Sequence, residues 1–155
     1  MRKLLKVAVL ALFSLFAISP LAQASDQGMI YKKSPYGVKE TMDRLEKVFK
    51  EKGVTVFARV NHAAGAKKIG AELRPTETLI FGTPKIGTPL MQSDQHIGID
   101  LPLKILAWMD EKGQVMIAYN DPKFLAERHH IKNRDTAFEG MAVALDKLTT
   151  AALKK

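Results

Sequence analysis

The chain has 155 residues, of which 46% are hydrophobic, and its formal net charge is +8, from 24 Lys and Arg against 16 Asp and Glu. This length suits one domain with a sizeable hydrophobic core. The sequence contains no cysteine, which excludes thiol catalysis, thiolate metal ligands and disulfide bonds.

The first residues have the pattern of a cleavable secretory signal. A basic start, Met1–Lys6, precedes the apolar stretch Val7–Ile18, and small residues stand at positions −3 and −1 of a cut after Ala24. The apolar stretch is shorter than the roughly 20 residues of a membrane-spanning helix. We therefore predict a signal peptide at residues 1–24 and a periplasmic or secreted single domain at residues 25–155, with no stable membrane anchor.

Part of the positive charge belongs to this leading segment, because Arg2, Lys3 and Lys6 supply three of the eight excess charges. In the segment Lys39–Lys52 the basic residues are mixed with acidic ones. They do not cluster with aromatic residues, as they do on nucleic-acid-binding surfaces. The charge pattern therefore predicts no nucleic-acid binding.

The first half of the domain alternates between strands and helices. Met29–Lys33 is a short candidate strand, and apolar residues at helical spacing predict an amphipathic helix over Val38–Phe49. Val54–Val60 alternates and is rich in β-branched residues, which predicts a second strand. A shorter helix that ends at Gly70 and a buried strand over Glu77–Gly82 follow.

The middle of the chain contains the tripeptide Gly-Thr-Pro twice within Gly82–Pro89. Two prolines stiffen this segment, and a short helical turn is predicted at Leu90–Gln92. Two strands follow, Leu103–Met109 and Val115–Tyr119. The turn between them ends in Gly113, a residue that readily supplies the positive φ of a hairpin turn.

Two helices complete the domain. Asp121 and Pro122 provide an N-cap and a first-turn proline for a helix. Thr136 and Glu139 have the spacing of a capping box, and the apolar face of a last helix extends to Leu148.

This order of elements predicts an α/β (α+β) two-layer sandwich with helices on a mixed sheet of five strands. The strand–helix–strand units favour parallel neighbours, whereas the hairpin after Met109 adds an antiparallel pair.

The usual catalytic motifs are absent from the sequence. Gly82–Thr88 has glycine spacing similar to a phosphate-binding loop but lacks its lysine. No G-x-S-x-G elbow is present, and no spacing singles out a pair of carboxylates. The sequence therefore favours a non-enzymatic domain, and no motif implies a cofactor.

The histidines leave a metal site open as an alternative. None of them belongs to an H-E-x-x-H motif, and the adjacent His129 and His130 would project about 100° apart on a helix. A site would have to assemble in space from His62, His96 and His129. Otherwise these are surface or helix-capping histidines.

Two further features concern the strand Leu103–Met109. Asp100 and Pro102 stand at its entrance, where they either serve a site or cap a turn and protect a strand end. Leu106 and Trp108 share one face of the strand. In a two-layer fold the helices cover only one sheet face, so these two side chains are candidates for a dimer interface or a ligand floor, with core packing as the alternative.

The combination of several segments resembles one family. The segments, in order, are His62–Ala66, Leu73–Gly82, Pro84–Met91, Asp100–Leu106 and Tyr119–Pro122. Together they resemble the DUF302 family, a domain of unknown function also called TT1751-like, over roughly Ser34–Leu153. The resemblance implies a compact α/β fold and permits dimers. It implies no reaction, cofactor or catalytic residue.

The segments that resemble the family include three loops, around His62, over Gly82–Met91 and around Asp100. If the sheet order brings these loops together, they form a cleft; the alternative is that their Gly, Pro and Asp residues serve turn geometry. The candidate ligand-binding residues of this cleft are His62, Gly82, Thr83, Lys85, Thr88 and Asp100.

The leading functional hypothesis is a non-enzymatic binding or accessory module, with a small molecule and a second copy of the chain as partners. One alternative is a metal-assisted, hydrolase-like enzyme that uses His62 and Asp100 with a third ligand. Another is a structural protein that binds anionic envelope components through its positive charge.

Overall fold

The structure, a computed structural model, describes residues 28–155. The predicted signal peptide and its cleavage after Ala24 lie outside these residues. The strands are β1 (Met29–Ser34), β2 (Thr55–Asn61), β3 (Thr76–Gly82), β4 (Leu103–Met109) and β5 (Val115–Asn120). The helices are α1 (Val38–Glu51), α2 (His62–Lys68), α3 (Pro84–Ser93), α4 (Pro122–Arg128) and α5 (Asp135–Leu153), with a 3-10 helix at Gln95–Ile99.

The five strands form one sheet in the order β1-β5-β4-β3-β2. All four pairings are antiparallel, so the predicted five-stranded sheet is found but the expected parallel neighbours are not. The reason lies in the connection through α1, which joins the two edge strands. β1 and β2 do run in the same direction, but three strands separate them.

Helices α1 and α5 pack on one face of the sheet and complete the predicted two-layer architecture. Alternate residues of β3, such as Leu79 and Phe81, point into this core. The ring of Phe49 from α1 lies 4.4 Å from that of Phe81, centroid to centroid. A second apolar cluster lies where α3, α4 and α5 meet, and it includes Leu90 and Leu125.

Two element boundaries differ from the sequence prediction. The helical turn expected at Leu90–Gln92 belongs to a ten-residue helix that begins at Pro84, since proline at the first helical position sacrifices no helical hydrogen bond. Helix α5 begins at Asp135 with Arg134 as N-cap. Thr136 is therefore inside the first turn, and the predicted capping box does not form.

The predicted hairpin turn between β4 and β5 is confirmed, with Gly113 at φ 77°. Within residues 28–155, no helix has both the length and the apolar character needed to cross a membrane.

Candidate functional site

A cavity of about 350 Å³ lies between the sheet and helices α3 and α5. It is located at the end of the sheet where β3 finishes at Gly82 and β4 begins at Leu103, and α5 forms the facing wall. Its lining is apolar apart from two threonines, Thr83 and Thr88. Within residues 28–155, no charged side chain lines it.

The loops around the cavity approach one another closely. A Cβ atom at Gly82 would lie 3.6 Å from Cβ of Pro102 and 3.7 Å from Cε2 of Phe57. At Gly87, in α3, a Cβ would lie 3.7 Å from Cδ1 of Leu101. These are ordinary van der Waals distances, so the start of α3 and the Leu101–Pro102 segment pack side by side around one apolar space.

Phe57 reaches this space because β2 contains a bulge. In the pairing with β3, Val56 is opposite Phe81 and Ala58 is opposite Ile80, so Phe57 has no partner across the ladder. A bulge interrupts the regular alternation of side chains along a strand. Phe57 lines the cavity and is 54% exposed.

Asp100 stands directly behind the cavity wall at Leu101. Its Oδ2 accepts a hydrogen bond of 2.6 Å from Nε2 of His129 at the end of α4, and Nη1 of Arg128 lies 3.5 Å from Oδ1. The side chains of Asp100 and His129 are only 11% and 7% exposed. This buried contact connects α4 to the segment that leads into β4. Asp100 therefore positions the cavity wall at Leu101 without lining the cavity itself.

We expect Asp100→Ala to lower the free energy of unfolding by about 1–3 kcal/mol, because it leaves a buried imidazole without its acceptor. Arg128→Ala is the matched control. The Arg128 side chain is 50% exposed, so its loss should cost less than about 1 kcal/mol. Urea denaturation of both variants measures the difference. Equal stability of Asp100→Ala and the wild type would show that the contact between Asp100 and His129 does not stabilise the fold.

The structure brings together some of the predicted cleft residues. Gly82, Thr83 and Thr88 line the cavity. Lys85 is exposed on α3 between two lining residues but does not line the cavity itself, and Asp100 lies behind its wall.

His62 is elsewhere. Its Nε2 lies 2.9 Å from Oγ1 of Thr78, near the start of β3, whereas the cavity lies at the end of β3 at Gly82. The structure therefore joins two of the three predicted loops and leaves the loop around His62 apart from them.

The three histidines considered for a metal each bond to a different partner. His62 pairs with Thr78, Nδ1 of His96 lies 2.8 Å from Oδ1 of Asp94, and His129 pairs with Asp100. No group of three or more His, Asp or Glu side chains in the described part of the chain is arranged to hold a metal ion.

Leu106 and Trp108 lie on the sheet face opposite α1 and α5 and are half-buried. Trp108 makes an edge-on contact with Tyr31 of β1, with ring centroids 6.1 Å apart. Leu106 stands between Thr78 of β3 and Ala118 of β5. Their role in a dimer interface stays a prediction.

One side of the cavity is absent from the candidate residues that the sequence predicts. It is formed by residues of α5 whose helical spacing predicts only a core-facing stripe: Met141, Ala144, Leu145 and Leu148. The small side chain of Ala144 among larger ones was the available signal. No sequence pattern predicts that Phe57 lines the cavity, because a bulge depends on how the strand pairs with its neighbour.

The chain matches a family model described as "Domain of unknown function DUF302" over residues 30–148. A similar solved structure is the "uncharacterized conserved protein DUF302 from Bacillus stearothermophilus". The TM-score is 0.65 at 21% identity, covering 81% of this chain and 95% of that one.

Among curated proteins, the chain is 42% identical over 134 residues to "Fluoride-specific ion channel FluC 1" of Brucella suis biovar 1, which covers 86% of this chain and 53% of that protein. "Fluoride-specific ion channel FluC 2" of Brucella melitensis biotype 1 is also 42% identical, with 50% of its length covered. The chain thus spans about half the length of these relatives. The match over residues 30–148 covers most of the chain, which therefore belongs to the DUF302 family.

Proposed function

We propose that this chain is a periplasmic or secreted DUF302 domain that binds a small apolar molecule in the cavity between α3 and α5, without catalysing a reaction. The observation that carries the proposal is the cavity itself. Its volume of about 350 Å³ falls within the range of ligand pockets, about 300–1,000 Å³. It is also more than twice the roughly 150 Å³ of an apolar cavity that accepts benzene.

The chemistry of the lining indicates the class of ligand. Hydrocarbon or aromatic surface would be favourably removed from water there, at about 25 cal/mol per Å². A charged group inside would lack partners, because only the hydroxyl groups of Thr83 and Thr88 are polar among the lining side chains. The ligand is therefore apolar where it is enclosed, and any polar group on it faces the opening.

The same apolar lining is unsuited to the fluoride in the names of the Brucella relatives. An anion such as fluoride needs cations or several hydrogen-bond donors around it. Since the chain spans only about half of those proteins, ion conduction is no part of this proposal.

The binding of an apolar fluorescent probe, N-phenyl-1-naphthylamine, tests the proposal. We expect saturable binding to the purified chain and at least about tenfold weaker binding to Ala144→Phe, because the added ring occupies the cavity. Val143→Phe is the matched control, since Val143 is the preceding residue of α5 and is 54% exposed. It should bind the probe as the wild type does.

Circular dichroism should first show that both variants remain folded. If Ala144→Phe binds the probe as tightly as Val143→Phe, the cavity is not the binding site and the proposal fails. Mass spectrometry of the protein from a periplasmic fraction tests the location separately. We expect a mature amino terminus at Ser25, and an intact Met1 in the cytosolic fraction alone would contradict this.

A further inference from the structure

Two apolar side chains at the rim of the cavity are exposed, although the cavity interior offers apolar surroundings. Phe57, the bulge residue of β2, is 54% exposed, and Ile86, in the first turn of α3, is 41% exposed. Both residues line the cavity. Two exposed apolar side chains thus border the opening through which a ligand would enter.

Exposed lysines stand beside lining residues in the sequence. Lys85 stands between the lining residues Pro84 and Ile86, and Lys147 stands between the lining residues Leu145 and Leu148 of α5. The acidic neighbour of Lys147, Asp146, is paired with Lys32, whose Nζ lies 2.6 Å from its Oδ1. The positive charges of Lys85 and Lys147 therefore have no ion-pair partner within the described residues.

We propose that this rim, defined by Phe57, Ile86, Lys85 and Lys147, docks on the surface of an anionic lipid bilayer. The inference rests on the proposed function and names the source of its ligand. Apolar side chains enter the boundary between headgroups and acyl chains, while each lysine near an anionic surface is attracted to it. With the rim docked, the opening faces the acyl region, so an apolar molecule enters the cavity without passing through water.

Another exposed apolar side chain provides an internal control. Ile69, at the end of α2, is 83% exposed and has Lys67 and Lys68 beside it. Helix α2 follows the end of β2 that pairs with the start of β3, where Asn61 is opposite Glu77. The cavity lies at the other end of β3. Ile69 is therefore also an exposed apolar residue beside lysines, but it lies far from the cavity opening.

Co-sedimentation of the purified chain with lipid vesicles tests the inference. We expect binding to phosphatidylcholine vesicles that contain about a quarter phosphatidylglycerol, and much weaker binding to phosphatidylcholine alone. The double variant Phe57→Ser/Ile86→Ser should lose at least about tenfold in vesicle affinity, because both apolar anchors are removed. Lys85→Glu should weaken only the binding that depends on phosphatidylglycerol. Ile69→Ser should bind vesicles as the wild type does.

Three results of the vesicle experiment would overturn the inference. These are equal binding to both kinds of vesicle, unchanged binding of Phe57→Ser/Ile86→Ser, and loss of binding in Ile69→Ser. A wild-type dimer that dissociates in the double variant, measured by analytical ultracentrifugation without lipid, would also overturn it by showing that a second copy covers the rim.

Ala144→Phe separates this inference from the proposed function. It fills the cavity but leaves the rim, so it should lose the soluble probe and keep vesicle binding. If the wild type binds vesicles as expected but never binds the probe, the proposed cavity function fails while the rim still docks on lipid. If the wild type binds the probe but ignores vesicles, only the inference about the rim fails.

Discussion

Replacing Arg59 with methionine is expected to lower the free energy of unfolding by about 3–5 kcal/mol, since it leaves a buried carboxylate without its cation. Nε of Arg59 donates to Oε2 of Glu77 at 2.5 Å. Glu77 is only 6% exposed, and its other hydrogen bond comes from Nδ2 of Asn61 at 3.1 Å. An amide alone does not compensate a buried negative charge.

The acidic side chains around Arg59 favour its positively charged form. Burial by itself would lower the pKa of Arg59, but hydrogen bonds to Asp43 and Glu77 outweigh it and raise this pKa above its ordinary value. The guanidinium therefore stays charged wherever the protein is folded. Arg59 in turn lowers the pKa of Asp43, with Lys39 adding to the effect.

The pH dependence of the contact with Asp43 follows from the direction of that shift. A carboxyl whose pKa is lower in the folded state adds stability above its unfolded pKa of about 3.9, and loses it as the pH falls through the folded value. Its contribution is small, because the Asp43 side chain is 45% exposed and solvent screens the pair. Asp43→Asn should therefore cost less than about 1 kcal/mol at neutral pH.

Urea denaturation at neutral pH compares Arg59→Met with two further variants. Asp43→Asn removes only the exposed partner and controls for the general loss of an ion pair. Arg59→Met/Glu77→Met removes both charges of the pair and should recover most of the lost stability, because apolar residues of similar volume leave no buried charge unpaired. Equal losses in Arg59→Met and Asp43→Asn would contradict the assignment of the effect to the carboxylate of Glu77.

Most of the fold could be predicted because local patterns determine it. The β-branched alternation of β2, the apolar spacing of α1 and the glycine in the β4–β5 turn each indicate their own element. Strand direction is different, because it depends on where α1 carries the chain. Nothing local in the sequence shows that α1 crosses three strands before β2 begins.

The site could be predicted only where it consists of loops. The loop Gly82–Met91 was a candidate because its segment resembles the family, and Gly82, Thr83 and Thr88 of this loop line the cavity. The opposite wall could not be identified in the same way, since a helix stripe such as Met141–Leu148 has the same spacing whether it faces a packed core or a cavity. The resemblance of its segment to the family makes His62 a candidate for the same site, but its contact with Thr78 lies at the other end of β3.

A second large effect is expected from Phe49→Ala, about 3–5 kcal/mol of lost unfolding free energy. Phe49 is completely buried, and its ring is tilted by 41° against that of Phe81. Truncation removes the buried apolar surface of the ring and leaves a void that the surrounding residues fill only in part. Because Phe81 also lines the cavity, we expect Phe49→Ala to admit a larger apolar probe than the wild type does.

Phe57→Ala is the matched control, because it deletes the same ring at an exposed position of the same cavity. In the free protein it should change stability by no more than about 0.5 kcal/mol, as surface substitutions usually do. Thermal and urea unfolding of the two variants without lipid or ligand measure the contrast. If Phe57→Ala costs as much as Phe49→Ala, then Phe57 is covered in the free protein, by a second copy or by a retained apolar molecule. Native mass spectrometry distinguishes these two occupants by their mass, and only the retained molecule agrees with an apolar binding cavity whose rim is open to a membrane.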